Sequence, residues 1–518
     1  MMGQSNDVAE TSFNRGSSGR KHRGSDMEQE DRISSLPDSI LLHILSFLPM
    51  KDAVKTVLHR RFGNLWTSIQ NLEFDARSYN NFSVGCHNVW FVNFVNHVLL
   101  LHECPTIFRF SLKFGSFLYF APNDMRPPRR LKPLRHEFAD YINSWIHFAV
   151  RKKVKVLELG ILAHGSSSSR FDYDLPSIVF TSDSVTELKL VNIGLRHQGV
   201  IHMRLLKTLS LTTIMLNDTV FEEILSGCPL LESLFIIQCY GLHKLNCTST
   251  SLKNLLVVLG EYELSRLEIS GPNLLSLHIS GLKGRVDLKN LSSLIEATLD
   301  LCFGGTGPDD NDYYNVGMLL EKLHHANVFT ICNWCILVLT SWEFRNVPCP
   351  SSSRKCLVLK TMLTKWHIHG ITSLLRSSPN LEMLDIYVEP GTSILSTADN
   401  LQLGLPGNHD ENYWNDKFWF KSPDFDEVNY WNSQQPFSCL RNHLKTVKIS
   451  GCISNSYVIQ LVKFLLRSAI VLEKLVISTK WYAQPNLQNH SLSKQLLEFS
   501  QKLSGFPKAS SSAVIVFS

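Results

Sequence analysis

A six-residue pattern recurs along this chain and restricts it to one kind of architecture. The pattern is apolar-x-x-apolar-x-apolar, with Leu, Ile or Val at each apolar site. Seven copies begin at Val154 (VKVLEL), Val185 (VTELKL), Leu206 (LKTLSL), Leu231 (LESLFI), Leu252 (LKNLLV), Leu264 (LSRLEI) and Leu274 (LLSLHI). Three more begin at Leu381 (LEMLDI), Leu444 (LKTVKI) and Leu472 (LEKLVI). The last two apolar sites lie two residues apart, which is the period of a strand with one buried face. One such strand cannot cover its own apolar face. Stacked copies cover one another, giving a continuous parallel sheet over one long core.

Spacing supports stacking. The central leucines Leu188, Leu209, Leu234, Leu255 and Leu277 follow each other at intervals of 21–25 residues, the period of leucine-rich repeats. Three copies share an approach that reads as a helix end followed by a strand: LSGCPLLESLFI (225–236), RSSPNLEMLDI (376–386) and RSAIVLEKLVI (467–477). Gly227 with Pro229, and Pro379, punctuate helix ends. The expected fold is therefore α/β: a short helical module, then an irregular leucine-rich-repeat solenoid with a parallel β-sheet and helices on its convex side. Segments 164–174, 302–330 and 391–436 interrupt the pattern. The last contains ENYWNDKFWFKSPDFDEVNYW (411–431). Its aromatic residues are expected to pack the loop onto the solenoid, the alternative being that they anchor a partner.

Ahead of the repeats, residues 37–48 read as one helix, opened by Pro37 and stopped by Pro49. Ile40, Leu41, Ile44, Leu45, Phe47 and Leu48 give it a broad apolar stripe. A second apolar helical run passes through Ala53, Val54, Val57, Leu58, Leu65 and Trp66. Covering the first stripe is worth roughly 10 kcal/mol gross, at about 1.5–3 kcal/mol per large side chain. Two helices this short cannot supply that cover to each other. Either they cap the solenoid or they dock a partner.

The wording of the segment is specific. LPDSILLHILSFLPMKDAV, running on to the Leu-Trp pair at Trp66, resembles the F-box of plant F-box proteins with leucine-rich repeats. The resemblance implies that Leu36, Pro37, Leu41, Ile44, Leu45, Leu48, Pro49, Val54 and Leu58 face a Skp-type adaptor. Through that adaptor such a protein joins a cullin–RING ubiquitin ligase. One departure stands out: where the family reads AVRTSVLSKRWRNLW, this chain reads AVKTVLHRRFGNLW from Ala53 to Trp66. A residue is missing after Thr56, His59 replaces the usual Ser, and Phe62-Gly63 replaces Trp-Arg. On an unbroken helix the deletion rotates everything beyond it by about 100°. Gly63 in a helix interior would cost about 1 kcal/mol. If a loop absorbs the slip the first helix still docks; if not, adaptor affinity falls.

From Pro436 the chain reads PFSCLRNHLKTVKISGCISNSYVIQLVKFLLRSAIVLEKLVIS, which resembles the FBD segment that closes many such proteins. CLVLKTMLTKWHIHGITSLLRSSPNLEMLDI (356–386) resembles it too. The expected organisation is a disordered tail (1–30), an F-box (31–75), a helical connector (76–150), the solenoid (151–435) and FBD-like terminal repeats (436–518).

Other chemistry is thinly signalled. The tail is rich in Ser, Gly and mixed charge, with no apolar core of a signal peptide. Asp7 stands where a myristoylation motif needs Ser or Thr. The cluster RKHR at 20–23 reads as solvated tail or as a small nuclear-import signal, so the expected location is nucleus and/or cytoplasm. WFVNFVNHVLLLH (90–102) is broken by Asn and His and is not expected to span a membrane. A net charge of +5 without a long basic run gives no expectation of nucleic acid. The twelve cysteines read as reduced thiols. Cys332 and Cys335 form a CxxC near His324, His325, Cys349 and Cys356, but without the second close pair that zinc requires. CNWCILVL is expected to be a buried strand. Phosphate-loop, dinucleotide, nucleophile-elbow and metalloprotease motifs are missing, so no catalysis and no cofactor are expected.

What the pattern and the resemblance imply together is a substrate-recognition subunit of a Skp–cullin–F-box ubiquitin ligase. Its unknown target protein would meet the outward strand residues Glu158, Lys189, Ser210, Phe235, Glu268, His278 and Asp385. The alternative is a non-catalytic leucine-rich-repeat scaffold whose degenerate F-box engages no ligase.

Overall fold

One parallel sheet collects almost all copies of the pattern. A computed structural model describes residues 33, 35–79, 87–115, 136–162, 173–195, 199–259, 266–281, 285–301, 310–389, 426–453, 456–479 and 489–518. In chain order the first strands are β1 (Asn71–Asp75), β2 (Arg109–Gly115), β3 (Val156–Leu162), β4 (Glu187–Val191), β5 (Thr208–Thr212) and β6 (Ser233–Ile237). Next come β7 (Lys244–Thr248), β8 (Asn254–Val258), β9 (Arg266–Ser270), β10 (Ser276–Ser280), β11 (Arg285–Lys289) and β12 (Glu296–Asp300). The last are β13 (Val328–Cys332), β14 (Cys356–Thr361), β15 (Met383–Val388), β16 (Thr446–Gly451), β17 (Lys474–Ser478) and β18 (Val514–Phe517). Among the described residues, fifteen of these strands form one sheet in chain order, and β11-β9-β7 form a second.

The register explains which strands the Leu/Ile/Val template misses. The second apolar site forms one row across the large sheet, buried except at the half-buried Ile515: Leu72, Phe110, Leu157, Leu188, Leu209, Leu234, Leu255, Leu277, Ala297, Phe329, Leu357, Leu384, Val447, Leu475 and Ile515. Phe110, Ala297 and Phe329 fall outside the template, yet they fill the same slot. The strangest substitution precedes β14, where Arg354 occupies the first apolar site and is only 1% exposed. Its guanidinium lies 4.4 Å from the Phe329 ring centroid, and its Nε donates to Ser352 Oγ at 2.6 Å. Burial pulls its pKa down to about 10.

Two stretches differ from the sequence expectation. The segment 76–150, expected as a helical connector, does contain helices α3 (His87–Leu101) and α4 (His136–Arg151). Between them, however, β2 pairs with β1 on one side and β3 on the other, so the sheet already begins at Asn71. The copy LSRLEI belongs to β9, in the smaller sheet. Equivalent sites in this part (Leu234, Leu255, Leu277, Ala297) are only 20–22 residues apart. A strand advances about 3.3 Å per residue and a helix 1.5 Å, so a short return leg spans the repeat only when extended. Longer repeats return through helices: α5 (Asp218–Gly227) before β6, α7 (Asn333–Phe344) before β14 and α8 (Lys365–Arg376) before β15.

Helix α7 also corrects the reading of CNWCILVL as a strand. Its residues Trp334–Trp342 are buried all round, because it lies against the sheet strands β12, β13 and β14 and between α8 and the helix Asp310–Lys322. Gly370 of α8 lets the two backbones approach: a Cβ there would sit 2.2 Å from the Ile336 carbonyl oxygen. Left-handed residues close several strands. Asn192, Thr213 and Gln238 follow β4, β5 and β6 with φ of 57°, 54° and 51°. Each turns its N–H onto the carbonyl ending the next strand of the sheet (Thr212, Ile237 and Val258), which locks the register.

The core is continuous from Leu45 to Ala513. The expected tail with RKHR lies outside the described residues, as do most of 164–174 and 391–436. The described end of the latter packs inward. In the helix Glu427–Ser433, Trp431 lies 4.7 Å from the Phe464 ring and Tyr430 lies 4.4 Å from His369.

Candidate functional site

Two surfaces stand out, one helical and one on the sheet. The N-terminal module folds as α1 (Asp38–Leu45) and α2 (Met50–Lys55), continued by a single 3-10 turn at Thr56–Leu58. Pro37 stands at the N-cap of α1 and Pro49 at that of α2. The helical pair rests on the end of the sheet, where α2 meets β1. Leu45, Met50, Ala53 and Trp66 join the common core.

This packing divides the predicted docking residues. Leu41 and Leu45 are 0% and 1% exposed, because α1 turns them toward the turn Leu65–Ser68. They hold the module together and cannot face a partner. Leu36 and Val54 are half-buried, whereas Pro37 and Pro49 are exposed. Ile44, Leu48 and Leu58 are exposed, Leu58 by 89%. Sequence reasoning left Ile40, Phe47 and Val57 out of the docking set, yet they too are exposed, Phe47 by 73%. The signal was available for one of them: Ile40 and Ile44 are four apart and share a helix face.

The missing residue after Thr56 is absorbed by a loop. His59 is extended (φ −99°, ψ 123°), so the helical run ends at Leu58 and no rotation propagates to Trp66. Gly63 sits in a turn at φ +38° rather than in a helix interior, which removes the expected propensity penalty. The loop also acts on α1. Arg61 Nη2 donates to the Leu36 carbonyl at 2.8 Å and pairs with the Asp38 carboxylate at 2.7 Å, pinning the start of the helix.

The second surface is the open face of the large sheet. Its central row reads Glu73, Ser111, Glu158, Lys189, Ser210, Phe235, Leu256, His278, Thr298, Thr330, Val358, Asp385, Lys448, Val476 and Val516. The structure therefore lines up six predicted target residues: Glu158, Lys189, Ser210, Phe235, His278 and Asp385. Glu268 is the exception. It lies on β9 in the smaller sheet, where it pairs with Arg266 at 2.6 Å. Its strand carries the same pattern as β10 but lies in the return leg between β8 and β10.

Charge along the row is uneven. At the β1–β4 end, Lys113 and Arg109 reach Glu158 at 2.9 and 3.4 Å, and Lys189 pairs with Glu187 at 2.7 Å. Burial alone would raise the Glu158 carboxyl, but the Lys113 and Ser111 contacts reverse that and hold it below the usual range. Toward the other end Asp385 is 7% exposed; burial pushes its carboxyl up against the opposing pull of Lys448 and Tyr387. Burial lowers the His278 imidazole, with Asp300 opposing.

Known proteins resemble this chain in sequence. A family model described as "At1g61320/AtMIF1, LRR domain" matches residues 130–390, just over half of the chain. A second, FBD, matches 432–477. The F-box/LRR-repeat protein At5g02910 of Arabidopsis thaliana is 30% identical over 379 residues, covering 72% of this chain and 75% of its own. The chain belongs to the plant F-box/LRR-repeat family. The putative F-box protein At1g49610 of the same plant is also 30% identical, over 369 residues and 85% of its length. The putative F-box/LRR-repeat protein At3g18150 is 28% identical over 468 residues, 88% of each chain.

Within this F-box/LRR protein the FBD corresponds to the units around β16 and β17, as the text from Pro436 suggested. The similar segment 356–386 falls inside the LRR match instead. These matches are to repeat and F-box families. Among the described residues no group of three or more His, Cys, Asp or Glu is placed to hold a metal. Cys332 and Cys335 are buried, and burial beside Asp300 pushes the Cys332 thiol well up, the reverse of an activated nucleophile. No described helix is long and apolar enough to cross a membrane.

Proposed function

We propose that this protein is the substrate-recognition subunit of a Skp–cullin–F-box ubiquitin ligase. The reading rests on the exposed apolar set Ile40, Ile44, Phe47, Leu48, Val57 and Leu58. Ile40 and Ile44 lie on α1, Phe47 and Leu48 on the link to α2, and Val57 and Leu58 on the 3-10 turn after it, in a module whose other face is fastened to a repeat sheet. Covering each is worth about 1.5–3 kcal/mol, and a Skp-type adaptor is the cover that the family relationship suggests. The open face of the sheet then holds a target protein. No residue of this chain needs to react: joining target and ligase raises the concentration of a substrate lysine near activated ubiquitin. The proposed partners are the adaptor, through it a cullin–RING ligase, and a target protein, in nucleus and/or cytoplasm; neither nucleic acid nor membrane is among them.

The test is co-purification of the full chain with a Skp-type adaptor. Adaptor is recovered with the native chain and lost with Leu58→Asp combined with Ile44→Asp. Absence of adaptor from the native chain refutes the ligase reading and leaves the scaffold without a ligase. Reinsertion of Ser after Thr56 then shows whether the shortened segment is responsible.

A further inference from the structure

The middle of the open face differs in kind from its flanks. The outward positions of β5, β6, β8 and β10 are Thr208, Ser210, Thr212, Ser233, Phe235, Ile237, Asn254, Leu256, Val258, Ser276, His278 and Ser280. None is Lys, Arg, Asp or Glu, and only His278 titrates. The same positions of β1–β4 include Glu73, Asp75, Arg109, Lys113, Glu158, Glu187 and Lys189. Those of β12–β16 include Glu296, Asp300, Lys360, Asp385 and Lys448.

At the centre of the neutral zone four apolar side chains meet in register. Phe235 lies beside Leu256, and Ile237 beside Val258. Phe235, Leu256 and Ile237 are half-buried, although they point away from the core, and Val258 is buried beside them. Hydroxyl and amide groups surround them, with Asn254 Nδ2 donating to Ser233 Oγ at 3.0 Å. A charged rim follows the strand starts, where Glu232 pairs with Lys253 at 2.9 Å and Lys207 at 3.7 Å. An apolar centre inside a neutral polar ring and a charged rim is the anatomy of an interface hot spot.

We propose that Phe235, Leu256 and Ile237 anchor the target protein, and that the occupant is a segment centred on uncharged aliphatic or aromatic side chains. This deepens the substrate-receptor reading and rests on it for the identity of the face. A charged occupant would lose its hydration against these apolar groups, while the charges of the rim, Glu232, Lys207 and Lys253, are already paired with one another. A nucleic acid would find for its phosphates only the rim cations Lys207 and Lys253, both engaged by Glu232.

The test pans a random dodecapeptide library against the full chain co-expressed with a Skp-type adaptor. Enriched peptides should carry aromatic or aliphatic pairs with little charge. Their affinity should fall at least about tenfold with Leu256→Lys and with Phe235→Ala, the loss expected for one buried side chain. Glu222→Gln, at an exposed position of α5 away from this face, and added salt should leave it unchanged. Melting curves control for folding, and Phe235→Leu should restore most of the binding. Should Phe235→Ala unfold, the outward Leu256→Lys carries the decision. Charged peptides, salt-sensitive binding, indifference to both variants, or no enrichment would each overturn the anchor. Adaptor recovery is scored separately, so peptide binding without adaptor upholds the anchor and refutes the ligase.

Discussion

Helices α1 and α7 are both rich in large apolar residues, and their fates are opposite. Within α7, Trp334–Trp342 are covered on every side by the sheet and the neighbouring helices. In α1, Leu41 and Leu45 are covered while Ile40 and Ile44 remain open. A repeat in the middle of a stack has neighbours both before and after it, so an apolar helix there is enclosed by its own chain. A module at the end has a neighbour on one side only. Exposed apolar surface at that end is where a second protein gains the most.

The comparison can be broken first at α7. Ile336→Ala should cost about 2–5 kcal/mol of stability, measured by denaturant unfolding, because the close contact with Gly370 prevents collapse of the cavity. A loss under about 1 kcal/mol would show that the enclosure is looser than this packing implies. At the exposed end the signature should reverse. Phe47→Asp with Leu58→Asp should leave the melting temperature unchanged and cut adaptor affinity by about 100-fold, roughly 2.7 kcal/mol. A fall in melting temperature would mean that these residues serve the fold instead.

Acid sharpens the contrast more gently. His367 sits in α8 with Nδ1 accepting from the Thr364 N–H at 3.1 Å, and burial lowers its pKa to about 3. The unfolded state, with the ordinary His value of 6.5, binds more protons between those two pH values. Stability is therefore full above pH 6.5 and falls as the pH drops toward 3. The slope from this group is at most about 1.4 kcal/mol per pH unit. His367→Asn should flatten it in melting curves recorded against pH. The smallest effect is expected at Arg354→Met, which returns an apolar side chain to the first pattern site. Ser352 Oγ keeps its bond to the Ser377 carbonyl at 3.2 Å, so stability should hold or rise by about 1 kcal/mol. A large loss would mark the Phe329 stack as structural.

Much of the repeat was readable because the in–out alternation of a strand is a local property. Leu-x-Leu pairs from Leu157 to Leu475 announce their own buried face. The six remaining strands of the large sheet escaped a Leu/Ile/Val template, because a stacked core accepts any side chain that fills its slot. Phe74, Phe110, Ala297, Phe329, Arg354 and Ser512 all stand at pattern positions of paired strands. The docking set was less readable, since a helix six residues wide in its apolar stripe does not say which edge turns inward.

The amino-acid sequence by itself determined that this chain stacks repeats into a parallel sheet, since no single unit can bury the face its own pattern creates. It also placed the start of the helical module at Pro37, whereas the helix expected to run to 48 ends at Leu45 and Pro49 opens α2. Only the tertiary structure decided that LSRLEI and LLSLHI, alike in pattern, enter different sheets. It likewise decided that Leu41 is enclosed while Ile40 beside it is open. Burial belongs to a residue's neighbours in space, and for these residues the neighbours come from distant parts of the chain.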